Sequence, residues 1–141
     1  MRFHGSVRRW RRVVVICATT LGAGIACTPG NIVGVEAGAE PAVPVFVITD
    51  AAGRGATRWI FGLSVVTCGT GTSVWTIAAT GSASAPSRIT YGRTPAGYVS
   101  RVGPLPLRPG CYQVYVSESA GARFHVGADG RVTADSAERQ P

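Results

Sequence analysis

The stretch Leu107-Arg108-Pro109-Gly110-Cys111-Tyr112-Gln113-Val114-Tyr115-Val116 decides the fold. Pro109-Gly110 is a turn signal, because proline presets φ and glycine takes positive φ without a Cβ clash. From there the chain alternates. Tyr112, Val114 and Val116 fall on one side; Cys111, Gln113, Tyr115 and Ser117 fall on the other. Period two with β-branched and aromatic residues marks a half-buried strand. The first set is the more apolar and is expected to face the core. That leaves Cys111 on the opposite face or at the strand mouth.

The segment ending in Cys68 reads the same way. Trp59, Phe61, Leu63 and Val65 share the expected core face, while Ile60, Gly62, Ser64, Val66 and Cys68 share the other. Both cysteines sit beside a turn: Cys68 precedes Gly69-Thr70-Gly71, and Cys111 follows Pro109-Gly110. They are expected to form a structural disulfide, which requires Cα atoms within about 7 Å. The competing state is two free thiols behaving as small hydrophobes.

Working outward, strands are expected over 45–49, 57–67, 73–79, 87–91, 98–102, 111–118, 122–126 and 131–133. Asp50-Ala51-Ala52-Gly53, Gly92 to Gly97 and Asp129-Gly130 supply turns between them. No helical period of useful length follows residue 28. Seven or eight short strands with turn signals every 8–12 residues predict an all-β fold, a small antiparallel β-sandwich over 45–134. A polar, disordered tail is expected over 135–141.

Leu107-x-Pro109-Gly110-x-Tyr112-x-Val114 is similar to the strand-opening motif of prealbumin-like and carboxypeptidase-regulatory-like β-sandwiches. The resemblance covers about ten residues and implies a fold type, with little about function. An Ig-like comparison fits less well. Trp75 follows Cys68 too soon, and Pro109, not a tyrosine, lies two residues before Cys111.

Residues 1–26 have the order of a signal peptide. Arg2, Arg8, Arg9, Arg11 and Arg12 form a charged start, and residues 13–26 are an uncharged apolar run ending in small residues. That run is shorter than the ~20 residues a membrane-spanning helix needs. The arginine doublets resemble a twin-arginine export signal, but the residues after them do not follow the fuller pattern, so general secretion is favoured. Gly24-Ile25-Ala26-Cys27 resembles the lipobox of bacterial lipoproteins, although Gly24 stands where that family prefers leucine. The resemblance implies a diacylglyceryl group on Cys27, which becomes the mature N-terminus. Plain secretion without a lipid is the alternative. Cysteine arithmetic favours the lipid: Cys17 leaves with the signal, Cys68 and Cys111 pair, and Cys27 is left over in an oxidising compartment. Residues 27–44 carry several Pro and Gly and are expected to be a flexible linker spanning ~20–25 Å.

The formal charge is +7, yet five arginines precede residue 13. From residue 28 onward nine arginines face seven acids, so the basic balance belongs to the N-terminal segment and is not a nucleic-acid footprint. His125 is the one histidine of the expected mature chain, and its strand alternation turns it out of the core. Asp129 and Ser117 are its nearest partners in sequence, at no diagnostic spacing. No catalytic residues, metal site or cofactor are expected. Gly69-x-Gly71 reads as a hairpin turn, since no helix pattern follows it. What remains is arginine near tyrosine: Arg88, Tyr91, Arg93, Tyr98, Arg101 and Tyr115 are a possible ligand surface through charge and ring stacking. The sequence therefore points to an exported lipoprotein of the cell envelope, membrane-anchored by lipid. It would act as a non-enzymatic binding or scaffolding module for an envelope protein or glycan. The alternatives are a secreted or periplasmic soluble protein, and a small envelope hydrolase, or accessory domain of one, using His125.

Overall fold

The computed structural model describes residues 31–50, 53–55, 60–81, 86–117 and 121–135. The expected signal peptide, Cys27, Trp59 and the end of the tail lie outside the described residues. Nine strands form: β1 (Ile32–Ala37), β2 (Pro44–Thr49), β3 (Gly62–Thr67), β4 (Ser73–Ala79), β5 (Arg88–Thr90), β6 (Tyr98–Val102), β7 (Gly110–Val116), β8 (Ala122–Val126) and β9 (Val132–Ala134). One sheet has the order β1-β2-β5 and the other β6-β4-β3-β7-β8-β9, and every pairing is antiparallel. No helix occurs among the described residues. This is the small all-β sandwich that the alternation implied.

The core follows from the period-two pattern. In β7 Tyr112, Val114 and Val116 are buried, and Tyr115 on the opposite face is 43 % exposed. β2 contributes Phe46 and Ile48, and β4 contributes Trp75 and Ile77, all fully buried. Each such side chain is worth ~1.5–3 kcal/mol over leaving it exposed. Phe46 of the small sheet meets Phe124 of the large one, ring centroids 5.9 Å apart, and Phe124 stacks on Tyr112 at 5.6 Å. The Tyr112 hydroxyl reaches back over the turn. It donates to the Arg108 carbonyl at 2.9 Å and accepts from the Arg108 N–H at 3.0 Å. The Leu107-x-Pro109-Gly110-x-Tyr112 motif is thus a corner held shut by its own tyrosine.

Cys68 and Cys111 form the expected disulfide, with Cα atoms 5.3 Å apart. β3 and β7 are neighbours in register Thr67↔Tyr112, so the next pair outward is Cys68 opposite Cys111. The Cys68 N–H also donates to the Cys111 carbonyl at 3.0 Å.

Two expectations are corrected. The linker assigned to 27–44 contains a strand, and the domain starts before residue 45. β1 pairs with β2 without a break from Ile32↔Thr49 to Ala37↔Pro44. The glycine and proline that suggested a tether belong to the hairpin turn. At Gly38 a Cβ would collide with the Val43 carbonyl, and Gly38 N–H donates to that carbonyl at 3.0 Å. Pro41 lies in the turn itself.

The second correction concerns β3, which begins at Gly62. Phe61 is 57 % exposed and Ile60 is buried, the reverse of the alternation counted back from Leu63. The cause lies at the entry to β3, where the Phe61 N–H leaves the regular ladder. Successive N–H groups of a regular strand point to opposite sides. Here the N–H groups of Phe61 and Gly62 both donate to Ser117 Oγ, at 2.7 and 3.3 Å. With its N–H drawn to Ser117, Phe61 departs from the alternation and turns outward. At Gly62 a Cβ would sit 2.6 Å from the Ile77 carbonyl oxygen, so the chain runs this close to β4 only with glycine there.

Candidate functional site

The six residues of the expected arginine–tyrosine surface do not assemble. Tyr91 and Tyr98 are core residues, and burial is the reason they leave the list. The Tyr91 hydroxyl donates to the Leu105 carbonyl at 2.6 Å, and its ring packs edge-on against Trp75 at 5.1 Å. Tyr98 donates to the Ile60 carbonyl at 2.9 Å. Burial pushes the Tyr91 phenol up to about 12, helped by the nearby Tyr112 and offset in part by the Leu105 backbone. Burial also raises the Tyr98 phenol. Both rings serve the fold.

The arginines divide between two sides. Arg88 on β5 reaches over β2 to Glu36 of β1 at 2.6 Å, and Arg93 lies 3.8 Å from Glu40. Both pairs belong to the small sheet and its turns. Arg101 sits exposed on β6, the edge strand of the large sheet. Tyr115 alone projects from the outer face at the middle of that sheet.

Around Tyr115 the large sheet carries a groove of about 590 Å³ across β4, β3 and β7. Phe61 and Tyr115 supply its aromatic surface, and Gly62, Ser64, Thr76, Ala78 and Ser117 lie between and beside them. The pairs Gly62↔Ala78 and Ser64↔Thr76 place small side chains next to each other, and that is why the face is concave. The hydroxyls are linked: Ser73 Oγ to Thr76 Oγ1 at 2.8 Å and Thr76 Oγ1 to Ser64 Oγ at 2.6 Å. Ser117 Oγ accepts two backbone N–H groups, which occupies its lone pairs and leaves its proton to donate.

The Tyr115 ring is fixed from behind. A Cβ on Gly121 would lie 2.9 Å from its Cδ1, so the ring rests on the bare glycine backbone. The sequence places Tyr115 on the outer face, but it does not single out Phe61, Ser64 or Thr76, and it offers Ser117 only as a neighbour of His125. The available signal was Gly62, a glycine inside an otherwise β-branched and aromatic strand, where a bulge or close backbone approach is the usual cause.

His125 lies on the outer face of β8, with Nε2 3.2 Å from Asp135 Oδ1. The two partners suggested by sequence are engaged elsewhere. Asp129 Oδ1 accepts from the Arg131 N–H at 2.9 Å, and Ser117 Oγ accepts from the Phe61 and Gly62 N–H groups. No group of three His, Cys, Asp or Glu among the described residues is placed to hold a metal ion. No helix among them is long and apolar enough to cross a membrane.

The fold defines a small disulfide-stapled β-sandwich domain. No known protein family, curated protein or solved structure matches the chain.

Proposed function

We propose that this chain is exported, held at a membrane of the cell envelope by a lipid on Cys27, and acts there as a non-enzymatic binding module. Its contact face is the Phe61–Tyr115 groove. The observation that carries this reading is the Cys68–Cys111 disulfide. Such bonds persist in oxidising compartments outside the cytoplasm. Its formation also uses two of the three cysteines that follow the signal segment and leaves Cys27 over. The lipobox-like residues before Cys27 and the charged, apolar, small-residue order of 1–26 support the same route.

The groove supports the binding part. Large aromatic surface left in water beside polar side chains is the usual composition of a contact site. Sedimentation with isolated envelope fragments tests it. The full chain is used with Cys27→Ala, so that a lipid does not itself pull the protein down. The protein is expected in the pellet, and the same chain with Phe61→Ala and Tyr115→Ala in the supernatant. Protein that stays in the supernatant with both aromatics intact would contradict the reading.

A further inference from the structure

The geometry points to a neutral oligosaccharide as the occupant of the outer-face groove, an inference that rests on the binding reading above and names its ligand class. Three observations carry it. The first is charge. None of the ten residues lining the groove is charged at neutral pH, although arginine decorates the rest of the surface. An anionic polymer would find no counter-charge within the groove; the outer-face Arg123 stands on β8 opposite Gln113, outside its lining.

The second is the mixture of surfaces. A pyranose ring presents C–H bonds on its faces and hydroxyls around its rim. Phe61 and Tyr115, 57 % and 43 % exposed, offer rings on which such faces pack by dispersion. Ser64, Thr76 and Ser117 line the same groove. Ser117 has a proton to give, since its oxygen already accepts from the Phe61 and Gly62 N–H groups. An apolar peptide segment, or the same face of a second copy, would bury against carbon the Ser117 proton and the one proton left over at the end of the Ser73–Thr76–Ser64 chain. A sugar rim pairs them.

The third is preorganisation. Tyr115 is held by contact with Gly121, and the concave floor exists because position 62 is glycine and position 78 is alanine. The platform stands ready without the ligand, which lowers the ordering cost of binding. Its volume of about 590 Å³ suits a short oligomer.

Titration calorimetry on the full chain with Cys27→Ala tests this, with cellohexaose and chitohexaose as neutral probes and hexagalacturonate as the anionic one. Saturable binding of at least one neutral hexasaccharide is expected. Tyr115→Ala and Phe61→Ala should each weaken it ~10-fold or more at an unchanged melting temperature. Gly121→Ala, outside the groove lining, should weaken it by displacing the Tyr115 ring. No saturable binding of either neutral probe overturns the proposal, as does tighter binding of hexagalacturonate, or neutral binding that survives both aromatic truncations. Sedimentation with envelope fragments separates the two levels. If it still depends on Phe61 and Tyr115 while neither neutral probe binds or competes, the saccharide class is wrong and the contact face stands. If sedimentation is also absent, both fall.

Discussion

Ser117 Oγ and the Phe61 backbone nitrogen lie 2.7 Å apart, and this bond between residues 56 positions apart in the chain sets which way Phe61 points. The same oxygen takes the Gly62 N–H at 3.3 Å. Ser117→Ala removes one acceptor from two donors at a partly exposed site. A loss of ~1 kcal/mol is expected in urea unfolding. The Phe61 ring resonances should shift with it, because the Phe61 N–H loses its partner. A variant with native stability and an unmoved Phe61 would show that Phe61 is held by other contacts.

Cys68 and Cys111 close a loop with a sequence separation of 43. The chain-entropy model gives ~4 kcal/mol for a loop of that size, as an upper figure. The double substitution Cys68→Ser with Cys111→Ser should therefore lower unfolding free energy by several kcal/mol. In a domain this small that is a large part of the whole. Urea titration with and without reductant checks it, and reductant should have no further effect on the double variant.

Tyr112→Phe keeps the ring stacked on Phe124 and deletes only the hydroxyl that ties down both the N–H and the carbonyl of Arg108. A cost of ~1–2 kcal/mol follows from the two lost hydrogen bonds. Hydrogen exchange should also speed up at Arg108 and Gly110 with little change in β8. Uniform loosening across the large sheet would mean the hydroxyl does more than close the corner.

The buried Tyr91 phenol predicts a one-sided pH dependence. Its folded value of about 12 lies above the ordinary 10.0, so the folded state holds this proton more tightly than the unfolded chain. Below pH 10 both states are protonated and the contribution is fully present. Between pH 10 and 12 the unfolded chain ionises first, and stability falls, by on the order of 2 kcal/mol. Tyr98 acts in the same direction. Tyr91→Phe should flatten the decline in urea midpoint across that window, and an unchanged decline would exclude Tyr91 as its source.

The sandwich was legible because alternation survives wherever both neighbours of a strand are regular. β7 and β8 follow that rule at every buried position, and the cysteine pairing follows from their faces and turns. β1 was not legible. Its inward Val33 and Val35 are separated by a glycine, and the prolines and glycines after it serve a turn as easily as a tether. The groove was hidden for a different reason. Period two assigns Phe61 to the core, and only a long-range bond to Ser117 overrides it. Burial of Tyr91 and Tyr98 was likewise invisible, because a tyrosine whose hydroxyl finds a carbonyl packs as readily as phenylalanine.

The proposed lipid on Cys27 would hold this domain at a membrane outside the cytoplasm. Radiolabelled palmitate fed to cells expressing the full chain tests it most directly. Label is expected on the wild type in the membrane fraction and none on Cys27→Ala. An unlabelled wild type, or equal label on Cys27→Ala, would contradict it.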